Sequence, residues 1–294
     1  MLIRNDREYF YKYYTADTAK LVLENCSRKW SSPQEFNDPF DTQFDLFVLE
    51  DPEAAARKFL EVFMQKLSSS DPIPGSSCSS AAAKMEQLRG LIRKHNISFT
   101  AEMNEKQLSA ATESVQRFIS SKDSVNEVIR EWFRYTSIFC VSETNENLLM
   151  WAHYAQNHTG AVIKFLSVRE VDSPLLIAQR VIYSRNMPRI GPEDFASFSV
   201  SPEAIRERLT LTKSIEWAYE KEWRVVAVAE DKNKASEISP FAPEELGAVY
   251  LGCKMAETDR EELLEIASRK YPKAEIYQAQ KHKQEFSLVF ERIY

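Results

Sequence analysis

Ser137-Ile138-Phe139-Cys140-Val141-Ser142, then Asn147-Leu148-Leu149-Met150-Trp151-Ala152-His153-Tyr154-Ala155-Gln156-Asn157, then Gly160-Ala161-Val162-Ile163-Lys164-Phe165 form the stretch whose reading decides the fold class. The first run is short and apolar, as a buried strand is. The second is long enough for a helix, which Gly160 stops, and the third is again a strand. Ile177 to Ser184 then reads as another strand with no helix before it. Strands and helices therefore mingle without the strict alternation of a doubly wound sheet. The expected class is α+β: a mixed, largely antiparallel sheet with packed helices.

Outward from that centre, Tyr9 to Tyr14 reads as an aromatic strand, with Tyr9, Tyr11 and Tyr13 on one face and Phe10, Lys12 and Tyr14 on the other. Asp17 or Thr18 caps a short helix through about Cys26, and Lys29 to Ser32 and Gln43 to Leu49 read as strands. Asp51-Pro52 opens a helix with proline at its first position. Helical pattern resumes over 81–94, 101–120 and 124–134, after a Ser/Pro/Gly-rich stretch at 68–80 expected to be a mobile loop. The chain is thus expected to be a single domain, residues 1–294, with a helical insertion at about 51–134. Beyond the centre, Ser201-Pro202 opens a helix, Trp223 to Ala229 and Gly247 to Leu251 are strands, and Thr258-x-x-Glu261 reads as a capping box. Glu275 to Gln278 and Phe286 to Phe290 close the pattern as strands.

Composition excludes several function classes. Only 6 glycines are present in 294 residues, and neither a dinucleotide fingerprint nor a phosphate-binding P-loop occurs. Basic residues number 38 against 44 acidic ones, so a general polyanion binder is disfavoured and nucleic acid is not the expected partner. Cys26, Cys78, Cys140 and Cys253 lack metal-ligand spacing and read as buried thiols of a reducing compartment. No signal peptide and no apolar run of about 20 residues is evident, so a cytoplasmic protein without a membrane is expected.

Three segments embed polar residues among aromatic ones, and burying an ionised group is costly unless it is compensated. In Phe36-Asn37-Asp38-Pro39-Phe40-Asp41, an Asx-turn pinned by Phe36 and Phe40 accounts for Asn37 and Asp38, while Asp38 and Asp41 also suit Mg²⁺. In Met150 to Ala155 the helix is apolar nearly all round, so His153 is expected to project inward as a structural, ligand-contacting or acid/base imidazole. In Glu216 to Arg224, alternation puts Glu220, Glu222 and Arg224 on one face of a strand, either as a surface ion pair or as functional carboxylates beside Trp217, Tyr219 and Trp223.

Together Tyr11-Lys12-Tyr13, Phe36-Asn37-Asp38-Pro39-Phe40, Cys140-Val141-Ser142, Met150-Trp151-Ala152-His153-Tyr154-Ala155 with Gly160, and Tyr219-Glu220-Lys221-Glu222-Trp223-Arg224 resemble the hallmarks of one bacterial family. It is the domain-of-unknown-function family numbered 2971, whose name carries no activity. The aromatic first strand and the Glu-x-Glu before a later strand are similar, more distantly, to ADP-ribosyltransferase-like folds. That similarity implies an enzyme acting at the glycosidic bond of a nucleotide such as NAD, by glycosyl transfer or hydrolysis. Glu222 would stabilise the developing cation, Glu220 would orient water or an acceptor, and His153 and Arg224 would meet phosphate or ribose. Tyr13 and Tyr154 would stack the base, with Lys12, Asn37, Asp38 and Trp151 completing the ligand wall. Lys12 stands where those folds carry arginine or histidine, and Cys140-Val141-Ser142 replaces their Ser-Thr-Ser. No cofactor is firmly implied; NAD is the candidate, and a small nucleotide the candidate partner. The rivals are a metal-dependent nuclease built on Asp38, Asp41, Glu220 and Lys221, and a non-enzymatic sensor or adaptor whose segments only recognise a ligand.

Overall fold

The computed structural model describes residues 4–47, 51–71, 80–95, 101–197, 200–228 and 236–294 of the 294. The chain forms two compact units: residues 1–42, 133–185 and 213–294 in one, and 43–132 with 186–212 in the other.

The larger unit holds the sheet. Its strands in chain order are β1 (Tyr9–Tyr14), β2 (Ser27–Ser31), β3 (Thr136–Ser142), β4 (Ala161–Leu166), β5 (Gln179–Arg180), β6 (Ile182–Ser184), β7 (Thr212–Ser214), β8 (Glu222–Val228), β9 (Ser236–Pro240), β10 (Leu246–Leu251), β11 (Glu275–Lys281) and β12 (Leu288–Arg292). Ten of them make one sheet in the order β12-β11-β10-β4-β1-β3-β2-β9, with β8 on β3 and β5 on β8, while β6 and β7 pair separately. Every pairing in the large sheet is antiparallel except β10 with β11. This is the expected α+β class. The single parallel pair needs a crossover, which a later helix supplies.

The helices, in chain order, are α1 (Ala16–Asn25), α2 (Pro52–Ser68), α3 (Ser80–His95), α4 (Ala101–Phe133), α5 (Leu148–His153), α6 (Pro192–Ala196), α7 (Pro202–Thr210) and α8 (Glu257–Lys270). In the larger unit α1 and α8 cover one face of the sheet, with Ala19, Leu23, Leu263 and Ala267 packed into a core shared with Phe10, Phe139, Ile163 and Val249. On the opposite face Tyr11 and Tyr13 pack with Met150, Trp151, Val162 and Tyr250. The period-2 reading of Tyr9 to Tyr14 thus separates two cores. In the smaller unit the block expected to be helical forms α2, α3 and α4, and the Phe47 ring lies tilted against Phe195 of α6, 5.9 Å between centroids.

Local differences from the sequence reading have identifiable causes. Residues 43–47 are irregular rather than a strand, because the Asn126 amide donates to the Phe47 carbonyl at 3.2 Å and accepts its N–H at 3.3 Å. A side chain has taken the pairing a strand neighbour would supply. The helix expected over Asn147 to Asn157 stops at His153, and Gln156, Asn157 and His158 all take positive φ (47°, 55° and 71°). The segment 177–184 breaks into β5 and β6, since the Val181 N–H bonds to the Glu222 carbonyl. At α8 the N-cap is Ala256, not Thr258, and its side chain makes no cap bond. At α1 the cap is Thr15, which accepts from the Thr18 N–H. Most of the stretch expected to be a mobile loop, residues 72–79, lies outside the described residues, as does Cys78; α2 runs through Ser68. Cys26, Cys140 and Cys253 are free and half-buried rather than buried.

Candidate functional site

The site begins with a gap in the sheet. One edge of β3 is fully paired with β8, from Thr136 opposite Val228 to Ser142 opposite Glu222. Its other edge meets β1 only at Tyr11–Ser142 and β2 only at Ser31–Ile138. Between those two bridges the Cys140 carbonyl has no strand partner there, and the Lys12 ammonium donates to it at 2.6 Å. A buried carbonyl left unpaired is costly, so a lysine placed mid-strand on β1 answers a backbone need. A cavity of about 180 Å³ occupies this region, walled by the rings of Tyr11, Tyr13, Phe36 and Tyr154. Its polar lining comes from Lys12, Asn37, Asp41, Lys213, Glu220, Glu222 and Arg224.

Glu220 and Glu222 both reach this cavity, by a route different from simple strand alternation. Ile215–Glu220 is a 3-10 turn, and Lys221 sits in the left-handed region at φ 45°, ψ 50°. That single reversal turns Lys221 out to solvent and leaves the glutamates on either side of it buried. Ser142 fixes the turn by donating its hydroxyl to the Glu220 carbonyl at 2.6 Å, and the Tyr183 hydroxyl accepts the Glu222 N–H at 2.8 Å.

Five charged side chains interlock here. Arg224, fully buried, donates through both terminal nitrogens to Asp41, at 2.9 and 2.6 Å, and through Nε to Glu222 at 2.8 Å. Phe36 lies under its guanidinium at 5.1 Å. Lys213 donates to Glu220 at 2.6 Å and to Glu222 at 3.0 Å, and stands 3.5 Å from Asp41. The Tyr154 hydroxyl donates to the other oxygen of Glu220 at 2.6 Å. Three carboxylates face two cations in this cluster, and the Lys12 ammonium lines the same cavity.

Unequal pairing with the cations separates the two glutamates. Burial raises Glu220 most; Lys213 pulls it down and the charge of Glu222 pushes it up again, leaving it above the usual carboxylate range. Burial acts the same way on Glu222, but Arg224 and Lys213 outweigh it and hold that carboxyl well below the range. Adjacent carboxyls pushed apart in this way give one group that exchanges a proton readily and one that stays ionised. Burial lowers Lys12, against the opposing effects of Cys140 and Glu222, and raises the Cys140 thiol. Burial, then Glu220, raises Tyr154.

Of the residues singled out in the sequence, Lys12, Tyr13, Asn37, Tyr154, Glu220, Glu222 and Arg224 line this one cavity. Three do not. His153 is exposed, its ring edge-on to Tyr154 at 6.3 Å, because the solvent side of α5 is the one that carries Leu149 and His153. Trp151 is wholly buried in the core, its indole N–H donated to the Asn145 carbonyl at 2.6 Å. Asp38 accepts the Phe40 N–H at 2.9 Å, the Asx-turn geometry, and Phe40 is exposed rather than pinning it. The residues proposed for Mg²⁺ do not converge: Lys221 faces solvent and both Asp41 oxygens bind Arg224. Among the described residues no group of three or more His, Cys, Asp or Glu side chains is placed to hold a metal ion. The sequence reading missed Lys213. It is the buried middle residue of the short strand β7, between half-buried Thr212 and Ser214, and three residues give no legible period.

Residues 150–225 match the family described as Protein of unknown function (DUF2971), which bears out the expected resemblance over the segment running from Met150 to Val225. No curated protein and no solved structure matches the chain. Among the described residues no helix is long and apolar enough to cross a membrane.

Proposed function

We propose that the cavity is the catalytic centre of an enzyme acting at the glycosidic bond of a pyridinium nucleotide such as NAD. The observation that carries this reading is the pair of buried carboxylates, Glu220 and Glu222, bridged by the Lys213 ammonium at 2.6 and 3.0 Å in a cavity walled by aromatic rings. Aromatic walls beside carboxylates suit a flat cation, and the nicotinamide ring of NAD is one. A volume of about 180 Å³ suits one ring or one sugar, so only the nicotinamide–ribose end enters.

Cleavage breaks the bond between the ribose anomeric carbon and the pyridinium nitrogen. The bonding pair leaves with the nitrogen, neutralising the ring, and positive charge develops on the ribose. Glu222, held ionised by Arg224 and Lys213, supplies the negative charge that the developing cation meets. Glu220, raised above the usual range, takes the proton from the water or hydroxyl that adds to the anomeric carbon. Lys213 sets the separation of the two carboxylates, and Tyr154 fixes the rotamer of Glu220.

The test is release of nicotinamide from NAD, followed by chromatography, with Glu220→Gln and Glu222→Gln beside the parent. Glu220→Gln is expected to keep its melting temperature and lose release by about 10²-fold or more. If the parent protein neither binds NAD nor frees nicotinamide, the proposal fails. A fall in melting temperature with release intact would make Glu220 a structural acid.

A further inference from the structure

We infer a second, separate ligand site: a basic cleft for a mononucleotide, built between the loop after α5, the loop after β10 and the β11–β12 hairpin. The cleft, about 530 Å³, is lined by His158, Lys254, Lys281, Lys283 and Phe286, among others, and shares no lining residue with the first cavity. That volume is in the range of small-molecule sites and suits a base, a sugar and phosphates together.

Charge identifies the ligand as an anion. The protein as a whole carries a net charge of −6, yet the residues lining this cleft include three lysines and one acid, Glu285. Among the described residues none of their ammonium groups lies within ion-pair distance of a carboxylate. Like charges kept together without partners cost free energy that a bound phosphate would return. His158 lines the cleft as well, its Nδ1 buried and without a hydrogen-bond partner among the described residues. Its ring stacks parallel to Trp151, with centroids 6.1 Å apart and planes 7° apart, so it is held in place.

The walls are rigid. Gln156, Asn157 and His158 form a left-handed run, a conformation that costs non-glycine residues about 1 kcal/mol or more each. The Lys254 N–H binds the His158 carbonyl at 3.0 Å, and the Gly252 N–H binds the Gly160 carbonyl at 2.9 Å. A Cβ at Gly252 would lie 2.2 Å from the His158 oxygen, so only glycine permits this approach. On the hairpin, His282 Nδ1 accepts the N–H groups of Gln284 and Glu285 at 3.3 and 3.0 Å, shaping the turn that presents Phe286. Phe286 is 101% exposed. A bare aromatic ring beside a cluster of ammonium groups is the combination that stacks a base while its phosphates are neutralised.

The experiment is calorimetric titration of the full chain with ATP, with tripolyphosphate and with a short single-stranded RNA. ATP is expected to bind saturably and more weakly as salt rises. Lys254→Gln and Lys281→Gln should each weaken it roughly tenfold or more. Phe286→Ala should weaken ATP several-fold and leave tripolyphosphate unchanged, whereas Glu220→Gln should change neither, which keeps this site distinct from the central cavity. Absence of saturable ATP binding overturns the inference, as does ATP binding indifferent to Lys254 and Lys281. RNA binding much tighter than ATP would assign the cleft to a nucleic-acid strand and overturn the mononucleotide.

Discussion

Arg224→Met removes the cation on which two buried acids depend. Arg224 is 0% exposed, and it holds Asp41 at 2.9 and 2.6 Å and Glu222 at 2.8 Å. Methionine keeps most of the volume and stem, so packing loss is small and the charge term dominates. Removing one partner of a buried ion pair costs about 3–5 kcal/mol, a large share of the roughly 5–15 kcal/mol that stabilises a domain. The melting temperature should fall by about 10 °C. Urea unfolding followed by tryptophan fluorescence reads the right unit, since Trp30, Trp151, Trp217 and Trp223 all belong to it and only Trp132 does not.

The pH dependence separates this cause from simple cavity formation. In the parent protein Glu222 is held below its ordinary value of 4.5, so its stabilising contribution is complete above that pH and is lost as pH falls through the folded value. Without Arg224, burial dominates and Glu222 moves upward. It then destabilises the fold when ionised and is relieved by protonation as pH falls. The gap between parent and variant should therefore be widest at neutral pH and narrow toward about pH 4.5. A gap below about 1 kcal/mol, or one of equal size at both pH values, would refute the view that Arg224 compensates buried charge.

Other outcomes follow from the same geometry. His153→Ala, at an exposed position, should change stability by no more than about 0.5 kcal/mol and leave NAD binding as it was, checked by melting and titration. Trp151→Ala empties a wholly buried position and strands the Asn145 carbonyl, so urea unfolding should show a loss of about 3–5 kcal/mol. Gly160→Ala would put a Cβ 2.1 Å from the Tyr14 carbonyl oxygen, a backbone atom with nowhere to move. Its melting curve should show about 1–3 kcal/mol of destabilisation or more.

The sequence determined the strands that matter, because their signal is local. Tyr9 to Tyr14 alternates between two cores, Ala161 to Phe165 is continuously apolar, and each pattern is legible without knowing its neighbours. The Glu220–Arg224 segment was likewise readable as charge forced among aromatics. What the residues could not show was orientation. His153 looked inward because its helix was nearly all apolar, yet α5 has only six residues and one buried side, so Leu149 and His153 took the solvent. Lys213 looked unremarkable, because its partners Glu220, Glu222 and Asp41 are brought together only when β3, β8 and the loop before Thr42 are in place. Asp41 also suited Mg²⁺ in the sequence, as one alternative, whereas in the fold a guanidinium 183 residues away binds both its oxygens. Periodicity is a property of neighbours along the chain; compensation of buried charge is a property of neighbours in space, and tertiary structure alone assigns it.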